Sequence, residues 1–150
     1  MITVDVSNRP VLDYLERLQK RLADLSPVMA SIGMELESRI SERFETGTDP
    51  TGADWAPWAP STVERYPEDG NRRLLDRYSD MLGSLNHQAG ADSVAIGFGQ
   101  PYAAYHEFGT RHMPRRGLLF EDPDTGTLAD DDEQAVLDLL EDWLAGVVEG

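Results

Sequence analysis

Apolar residues recur at helical spacing over the first third of the chain, with one interruption. This spacing places each set on one face of an amphipathic helix. Ser26 and Pro27, between the two sets, are typical of an N-cap and a first helical turn. The sequence therefore predicts helix over residues 10–45, as two helices or as one kinked rod, packed on the core or facing a neighbouring subunit. The first set is Val11, Tyr14, Leu15, Leu18, Leu22 and Leu25, and the second is Met29, Ile32, Leu36, Ile40 and Phe44.

Later parts of the chain contain both helical and strand periodicity. Helical spacing returns over residues 71–86 and again from about residue 131, whereas residues 94–98 alternate as in a half-buried strand. Residues 2–6 alternate likewise, and a third strand is expected near residues 116–120 because two strands alone are marginally stable. The predicted fold is α+β: one domain over residues 1–150, with long N-terminal helices packed on a small, mainly antiparallel sheet, and a C-terminal helix.

Glycine and proline are concentrated in residues 47–67. Four prolines in this stretch exclude a continuous helix or a central strand. Trp55 and Trp58 distinguish it from a low-complexity linker, because each offers a large apolar area that has to be buried. We expect these tryptophans either to pin the loop to its own core or to anchor a contact with another subunit.

Residues 101–116 combine three aromatic residues, two histidines and three arginines. Pro101 and Gly109 stand where a first-turn proline and a C-terminal glycine would stand, so a short helix is predicted between them. An extended basic loop is predicted to follow at residues 113–116. The segment is a candidate for either an active site or an assembly surface.

The histidines and acidic residues of this segment do not form a catalytic pattern. His106, Glu107 and His112 resemble metalloprotease ligands, but such sites place two histidines one turn apart on one helix, and here Gly109 intervenes. The chain has no glycine-rich phosphate loop, and without cysteine it has no disulfide or thiolate metal site. The sequence indicates a protein that is not an enzyme and carries no cofactor.

The net charge of -15 is concentrated at the C-terminal end. Residues 121–150, which we call the acidic arm, contain eleven acidic residues and no lysine or arginine. Such a surface repels phosphate, so sequence-specific DNA binding is not expected. The arm is expected to meet a basic partner, to line a channel that nucleic acid passes through, or to be a solvated face. The sequence shows neither a long apolar run nor a signal-peptide profile, which predicts a soluble chain without membrane association.

Several short motifs follow one another in a characteristic order from about residue 28 to residue 120. In this order the chain resembles the phage virion morphogenesis or tail completion proteins of Mu-like and other contractile-tailed phages and prophages. It departs from them at Glu107, where the family usually has glutamine, at residues 115–118, where Arg-Arg-Gly-Leu replaces Ala-Arg-Pro-Phe, and in the acidic arm, which lies outside the resemblance. The motifs are a helical region ending at Phe44, Gly-Thr-Asp-Pro-Thr-Gly at 47–52 leading to Trp55, Ser-Thr at 61–62, Leu-Leu-Asp at 74–76, Met-Leu-Gly-Ser-Leu at 81–85, Val-Ala-Ile-Gly at 94–97, Tyr-Ala-Ala-Tyr-His-Glu-Phe-Gly at 102–109 and Met-Pro-Arg-Arg at 113–116.

The resemblance implies a structural virion protein that completes the tail at its head-proximal end, in a terminator or neck role. It implies a homo-oligomeric ring, expected to be hexameric, that is assembled in the host cytoplasm, joins tail tube or sheath to head–tail connector proteins, and lets DNA pass through. No catalytic, metal-binding or cofactor-binding residue is expected. The residues expected at subunit or partner contacts are Trp55, Trp58, Arg72, Arg73, Arg77, Tyr102, Tyr105, His106, Glu107, Arg111, Arg115 and Arg116.

In a head-to-tail ring, one patch of the subunit meets a different patch on the next copy. We expect the basic loop at residues 111–116 to pair with the acidic arm of a neighbour. The alternative function is that of a small acidic binding module or inhibitor that mimics nucleic acid. A protein of that kind would act as a monomer on a basic partner.

Overall fold

The structure, a computed structural model, describes residues 9–149, which form six helices and one β-hairpin. The predicted α+β class is confirmed, with long N-terminal helices, an antiparallel sheet and a C-terminal helix. The strand predicted over residues 2–6 lies outside the described residues. The helices are α1 (Arg9–Ala23), α2 (Ser26–Thr46), α3 (Pro60–Arg65), α4 (Asp80–Gly83), α5 (Ala103–Phe108) and α6 (Asp130–Glu149), and the strands are β1 (Leu85–Ala89) and β2 (Val94–Phe98), which pair antiparallel.

Two residues separate α1 from α2, so the N-terminal region is two helices and not one rod. The carboxylate of Asp24 accepts a hydrogen bond from the backbone N–H of Ser26 at 3.0 Å and another from the Ser26 hydroxyl. Leu25 occupies the N-cap position and Ser26 is the first residue of α2, so the predicted N-cap role of Ser26 was wrong. At the other end, α2 stops at Gly47, whose left-handed backbone (φ 66°, ψ 36°) suits glycine.

Helix α2 is the element on which most of the chain packs. Its N-terminal half contacts α6 and β2, and its C-terminal half contacts the loops and the start of β1. At Gly33 a Cβ atom would lie only 2.3 Å from the His87 ring, so the hairpin approaches α2 because residue 33 has no side chain. The buried residues of the first cluster are Val28, Ile32 and Leu36, and those of the second are Ile40, Phe44, Trp55, Met81, Leu85, Ala103 and Leu118.

A buried ion pair joins α2 to α6. Asp132, with only 1% of its surface exposed, pairs through one carboxylate oxygen with Arg39 at 2.8 Å and through the other with Arg43. Arg43 also donates a hydrogen bond to the backbone carbonyl of Leu118 at 2.6 Å. Because buried charges are tolerated only when paired and hydrogen-bonded, these contacts fix α6 in one position against α2.

Two predicted elements take a different form. Residues 71–86 were predicted as helix, but only the single turn α4 and the start of β1 are regular, because Leu75 and Ser79 adopt positive φ (61° and 64°) and the chain turns at each. No strand forms at residues 116–120, because the backbone N–H groups of residues 118–120 bond to the Glu107 carboxylate and are not free for strand pairing.

Candidate functional site

A cleft of about 640 Å³ opens between residues 58–81 and residues 102–116. We call it the arginine cleft. Trp58, Tyr66 and Arg77 line one side, and Tyr102, His106 and Arg116 line the other. The fold therefore brings together two segments that are far apart in the sequence and that each contain predicted contact residues.

Aromatic and cationic side chains are stacked on the first side of the arginine cleft. The rings of Trp58 and Tyr66 lie 4.6 Å apart at 29°. The guanidinium groups of Arg72 and Arg77 lie over the Tyr66 ring, 4.9 and 5.0 Å from its centroid. Contacts of this kind contribute about 0.5–1 kcal/mol each at exposed sites, and they orient the arginines without neutralising them.

Arg116 joins the second side of the cleft to the glycine- and proline-rich stretch at residues 47–67. Its guanidinium donates hydrogen bonds to the carbonyls of Ala56 and Pro57, both at 2.8 Å, and its backbone N–H donates to the carbonyl of His106 at 2.8 Å. Burial lowers the pKa of Arg116 below its ordinary value. Since all these acceptors are uncharged carbonyls, the positive charge of Arg116 stays uncompensated.

Glu107 anchors the backbone of residues 118–120, which lie behind the cleft. Its carboxylate is buried and accepts hydrogen bonds from the backbone N–H groups of Leu118, Leu119 and Phe120 at 2.6, 3.0 and 3.0 Å. Arg115 donates to the carbonyls of Glu107 and Phe120, both at 2.6 Å. Together these bonds fix α5 against the loop that follows it, and so fix the position of Tyr102 and His106.

The arginine cleft carries unneutralised positive charge in an acidic chain. Arg72, Arg77 and Arg116 form no ion pair with any residue in the range 9–149, whereas Arg73 is paired with both Glu45 and Asp76. Two carboxylates, Asp76 and Asp80, also line the cleft, so its lining carries charges of both signs. The unpaired arginines are the groups with which an acidic group of a partner could pair.

Two polar atoms in the lining residues of the cleft have no hydrogen-bond partner among the described residues. They are Oδ1 of Asp76 and Nδ1 of His106, and both are buried. Buried polar side-chain atoms are usually paired in folded proteins. Both atoms lie beneath the surface of the cleft, because each is buried.

The predicted contact residues fall into three groups in the structure. Most of them line the arginine cleft or, as Arg72 does, contact its Tyr66 ring. Tyr105 and Arg111 are exposed but do not line it, and Tyr105 stands beside Phe108 on the outer face of α5, with 59% and 55% of their surfaces exposed. The residues that line the cleft are Trp58, Arg73, Arg77, Tyr102, His106 and Arg116. The residues that stabilise the fold without lining the cleft are Trp55, Glu107 and Arg115.

Trp55 is a core residue and not an exposed contact residue. It is buried, packs edge-on against Phe44 at 5.6 Å, and donates its indole N–H to the carbonyl of Gly117 at 2.9 Å. The interpretation of this loop as pinned to its own core is correct for Trp55. Glu107 is likewise unavailable as a surface contact, because both carboxylate oxygens bind backbone N–H groups.

The expected pairing of the 111–116 loop with a neighbour's acidic arm needs revision for the same reason. Arg115 and Arg116 both use their guanidinium groups on carbonyls of their own chain, and Arg116 is buried. Only Arg111 is an exposed arginine in this loop. In and beside the cleft, the exposed arginines that can meet an acidic partner are Arg72 and Arg77 at its rim and Arg111 in the loop.

The contact residues expected from the sequence do not include Tyr66 or Asp76, which organise the first side of the cleft. The Tyr66 ring stacks on Trp58 and makes cation–π contacts with two arginines. Asp76 is 2% exposed and is paired with Arg73. The available signals were a tyrosine one residue before a proline and an aspartate within the Leu-Leu-Asp motif. Neither signal indicates a partner, because each role depends on residues brought close by turns.

We expect His106 to make the fold less stable in acid. Burial, and then the charge of Arg116, lower the pKa of His106 below its ordinary 6.5. The unfolded chain therefore takes up this proton at a higher pH than the folded chain, and stability is lost as pH falls below 6.5 towards the lowered pKa. Urea unfolding at about pH 7.5 and about pH 5.5 should show a smaller acid-induced loss for His106→Gln than for the unchanged chain. The control His112→Gln, at an exposed position, should behave as the unchanged chain does; equal losses in all three would contradict the assignment.

Neither a membrane span nor a metal site is found within the described residues. None of the helices between residues 9 and 149 combines the length and apolarity that crossing a bilayer requires. The same residues contain no group of three histidine, aspartate or glutamate side chains placed to hold a metal ion.

Comparison with known proteins gives a family and one curated relative. The sequence profile of the phage virion morphogenesis family matches residues 6–145. Mu-like prophage FluMu G protein 2 of Haemophilus influenzae is 25% identical over 144 residues, which cover 95% of this chain and 96% of that protein. No solved structure matches the chain. The family match includes both sides of the arginine cleft and α6 as far as residue 145, so the expectation that the acidic arm lies outside the resemblance was wrong.

Proposed function

The chain belongs to the phage virion morphogenesis family, and from this membership we propose that it is a structural, non-enzymatic protein that completes the phage tail at its head-proximal end. A role in building the phage particle follows from the family itself. The terminator or neck position, and the joining of tail to head, are our proposal. The observation that carries it is the family match over residues 6–145, supported by a relative from a Mu-like prophage that is similar over nearly its whole length.

The geometry of the arginine cleft supports binding more than catalysis. Glu107 accepts hydrogen bonds from backbone N–H groups through both carboxylate oxygens, and Arg115 and Arg116 bond to backbone carbonyls. These groups hold the walls of the cleft in place and have little capacity left for proton transfer. What the cleft offers a partner is shape, aromatic surface and the charge of Arg72 and Arg77.

We propose that the subunits form a ring, expected to be hexameric, that meets the tail tube or sheath on one side and connector proteins on the other. The exposed rings of Tyr105 and Phe108, next to the cleft, offer an aromatic anchor of the type that is enriched at protein interfaces. A strongly acidic subunit also suits a ring that DNA traverses without being held. Family membership favours this role over that of an acidic binding module that acts alone.

Removal of the gene from an inducible lysogen tests the proposed function. We expect heads and tails to accumulate separately under the electron microscope, with joined particles and plaque-forming titre restored by the unchanged gene. Complementation by Tyr105→Ala/Phe108→Ala should restore the titre at least about a hundredfold less well, because aromatic anchors at the centre of an interface contribute about 2–4 kcal/mol.

Met34→Ala is the matched control, because Met34 is an apolar residue with 65% of its surface exposed on α2, and it should complement fully. Normal joined particles from the deletion lysogen would contradict the tail completion role. A deletion that abolished heads, with tails intact, would place the protein in another part of the virion.

A further inference from the structure

Helix α1 presents an apolar stripe that the described part of its own chain leaves uncovered. Leu12, Leu15 and Leu22 have 42%, 45% and 49% of their surfaces exposed, and they belong to neither core cluster. Together with the exposed Gln19, they follow one another at spacings of three, four and three residues. This is the spacing of a coiled-coil seam, in which the covering surface is another helix.

The residues of this stripe carry no charge. Arg17, Lys20 and Arg21 lie on another side of α1, where they line a groove of about 320 Å³ with Val147 of the same chain. Glu16, next to the stripe, is paired with Lys20 at 3.6 Å. The surface that covers the stripe must therefore be apolar and uncharged as well, because a charge buried against these leucines would find no partner.

The other two long helices do not offer such a surface. On α6, the exposed Leu137 and Leu144 are each one helical turn from Glu141, so leucines laid over them would also bury a carboxylate. The basic residues of α1 point elsewhere and could not compensate that charge. On α2, Met34 is the single large apolar residue that is exposed.

The short helices are excluded by their length. From Leu12 to Leu22 the stripe runs for about 15 Å, whereas a helix of six residues is only about 9 Å long. Helices α3 and α5 have six residues each and α4 has four. Among the helices between residues 9 and 149, α1 itself is thus the one that carries an apolar, uncharged stripe of the required length.

We propose that α1 of one copy packs antiparallel along α1 of a second copy. In this register Leu12 faces Leu22 of the second copy, and Leu15 faces Gln19. The antiparallel arrangement sets the basic residues 17–21 of the two helices at opposite ends, whereas a parallel one would set like charges side by side.

This contact is distinct from the head-to-tail contact of the proposed ring. The same face of α1 is used on both copies, so the contact joins two copies about a two-fold axis and does not propagate. The inference therefore goes beyond the proposed function and does not depend on it.

Charged substitutions within the stripe test the contact in the full-length purified chain. Three leucines a side make a small interface, so we expect a dimer with a Kd of about 10–100 μM by sedimentation velocity. Leu15→Lys and Gln19→Glu should each weaken self-association about tenfold or more, because the new charge faces an apolar or amide group. An equal mixture of the two variants should restore it, because residue 15 of one copy then faces residue 19 of the other with opposite charge.

Disulfide trapping tests the register, because the chain contains no cysteine of its own. The Leu15→Cys and Gln19→Cys variants, mixed and oxidised, should form a disulfide-linked dimer that contains one copy of each. Each variant oxidised alone should give little of it. Asp13→Cys, at an exposed position on another side of α1, is the control and should not be trapped with either variant.

Leu137→Lys is the matched control for Leu15→Lys, because it makes the same change at a similarly exposed leucine of α6 and should leave this dimer unchanged. A loss of association as large in Leu137→Lys as in Leu15→Lys would overturn the α1 contact, and so would a chain that stays monomeric at every concentration. Trapping of each cysteine variant with itself, and not with the other, would overturn the antiparallel arrangement. None of these results bears on the role in the tail, which the lysogen experiment decides.

Discussion

Replacing Glu107 with alanine is expected to lower the free energy of unfolding by about 3–5 kcal/mol. The carboxylate accepts three backbone N–H bonds, from Leu118, Leu119 and Phe120, and the Leu118 residue is completely buried. Each buried donor left without a partner costs about 1–3 kcal/mol, and the two half-buried ones cost less because water reaches them. The loop at residues 118–120, behind the arginine cleft, should therefore become more mobile as the overall stability falls.

Urea unfolding followed by tryptophan fluorescence measures this loss, because the Trp55 indole bonds to Gly117 in the same loop. Glu107→Gln should cost about 1–2 kcal/mol, since the amide keeps one acceptor oxygen but points an NH₂ group at backbone donors. Glu121→Ala, at an exposed position shortly after the loop, is the control and should change stability by less than about 0.5 kcal/mol. An alanine variant at Glu107 within about 1 kcal/mol of the unchanged chain would refute the anchoring role.

Replacing Asp132 with alanine is expected to lower the free energy of unfolding by a similar amount, about 3–5 kcal/mol. The change leaves Arg43 as an unpaired charge whose side chain is only 8% exposed, whereas Arg39, at 32%, can turn towards water. Breaking one half of a buried pair costs more than the pair contributes, because the remaining charge stays desolvated. The docking of α6 on α2 should be the part of the fold that weakens most.

Hydrogen exchange of α6 amides, together with urea unfolding, would measure this effect. Asp131→Ala removes a neighbouring exposed carboxylate and should change stability by less than about 0.5 kcal/mol. The double change Arg43→Met/Asp132→Leu should recover part of the loss, because a buried pair can often be replaced by apolar groups; the recovery is incomplete because Leu118 loses its Arg43 partner. Equal stability for Asp131→Ala and Asp132→Ala would rule out the proposed role of the pair.

Periodicity predicted the elements whose burial is regular. Helices α2 and α6 and strand β2 follow from repeated apolar positions, and α5 follows from the proline and glycine at its ends. Residues 71–79 were misread because Leu74, Leu75 and Tyr78 have helical spacing by coincidence. The chain turns there at Leu75 and Ser79, and the buried Asp76 is held by Arg73. A buried carboxylate that pairs with a residue three positions away does not change the spacing of apolar residues, so the hydrophobic pattern does not reveal it.

The composition of the candidate site was predictable, but the roles of its members were not. Aromatic and arginine residues near 58, 72–77 and 102–116 were selected, and most of them meet at one cleft. The sequence does not show which arginines already donate hydrogen bonds within their own chain. Arg115 and Arg116 bond to backbone carbonyls, which every residue possesses, so no residue type marks them as occupied. The same holds for Glu107 and its backbone donors.

The Arg43–Asp132 pair can form only late in the synthesis of the chain. The partners lie 89 residues apart, so at about 5–20 residues per second a ribosome needs about 4–18 s to make the second after the first. During that interval the part of the α2 face that α6 covers, which includes Val28, Ile32 and Leu36, lacks the α6 side chains that pack on it in the folded chain. The core of this chain is therefore completed last at its C-terminal end, where α6 docks on α2.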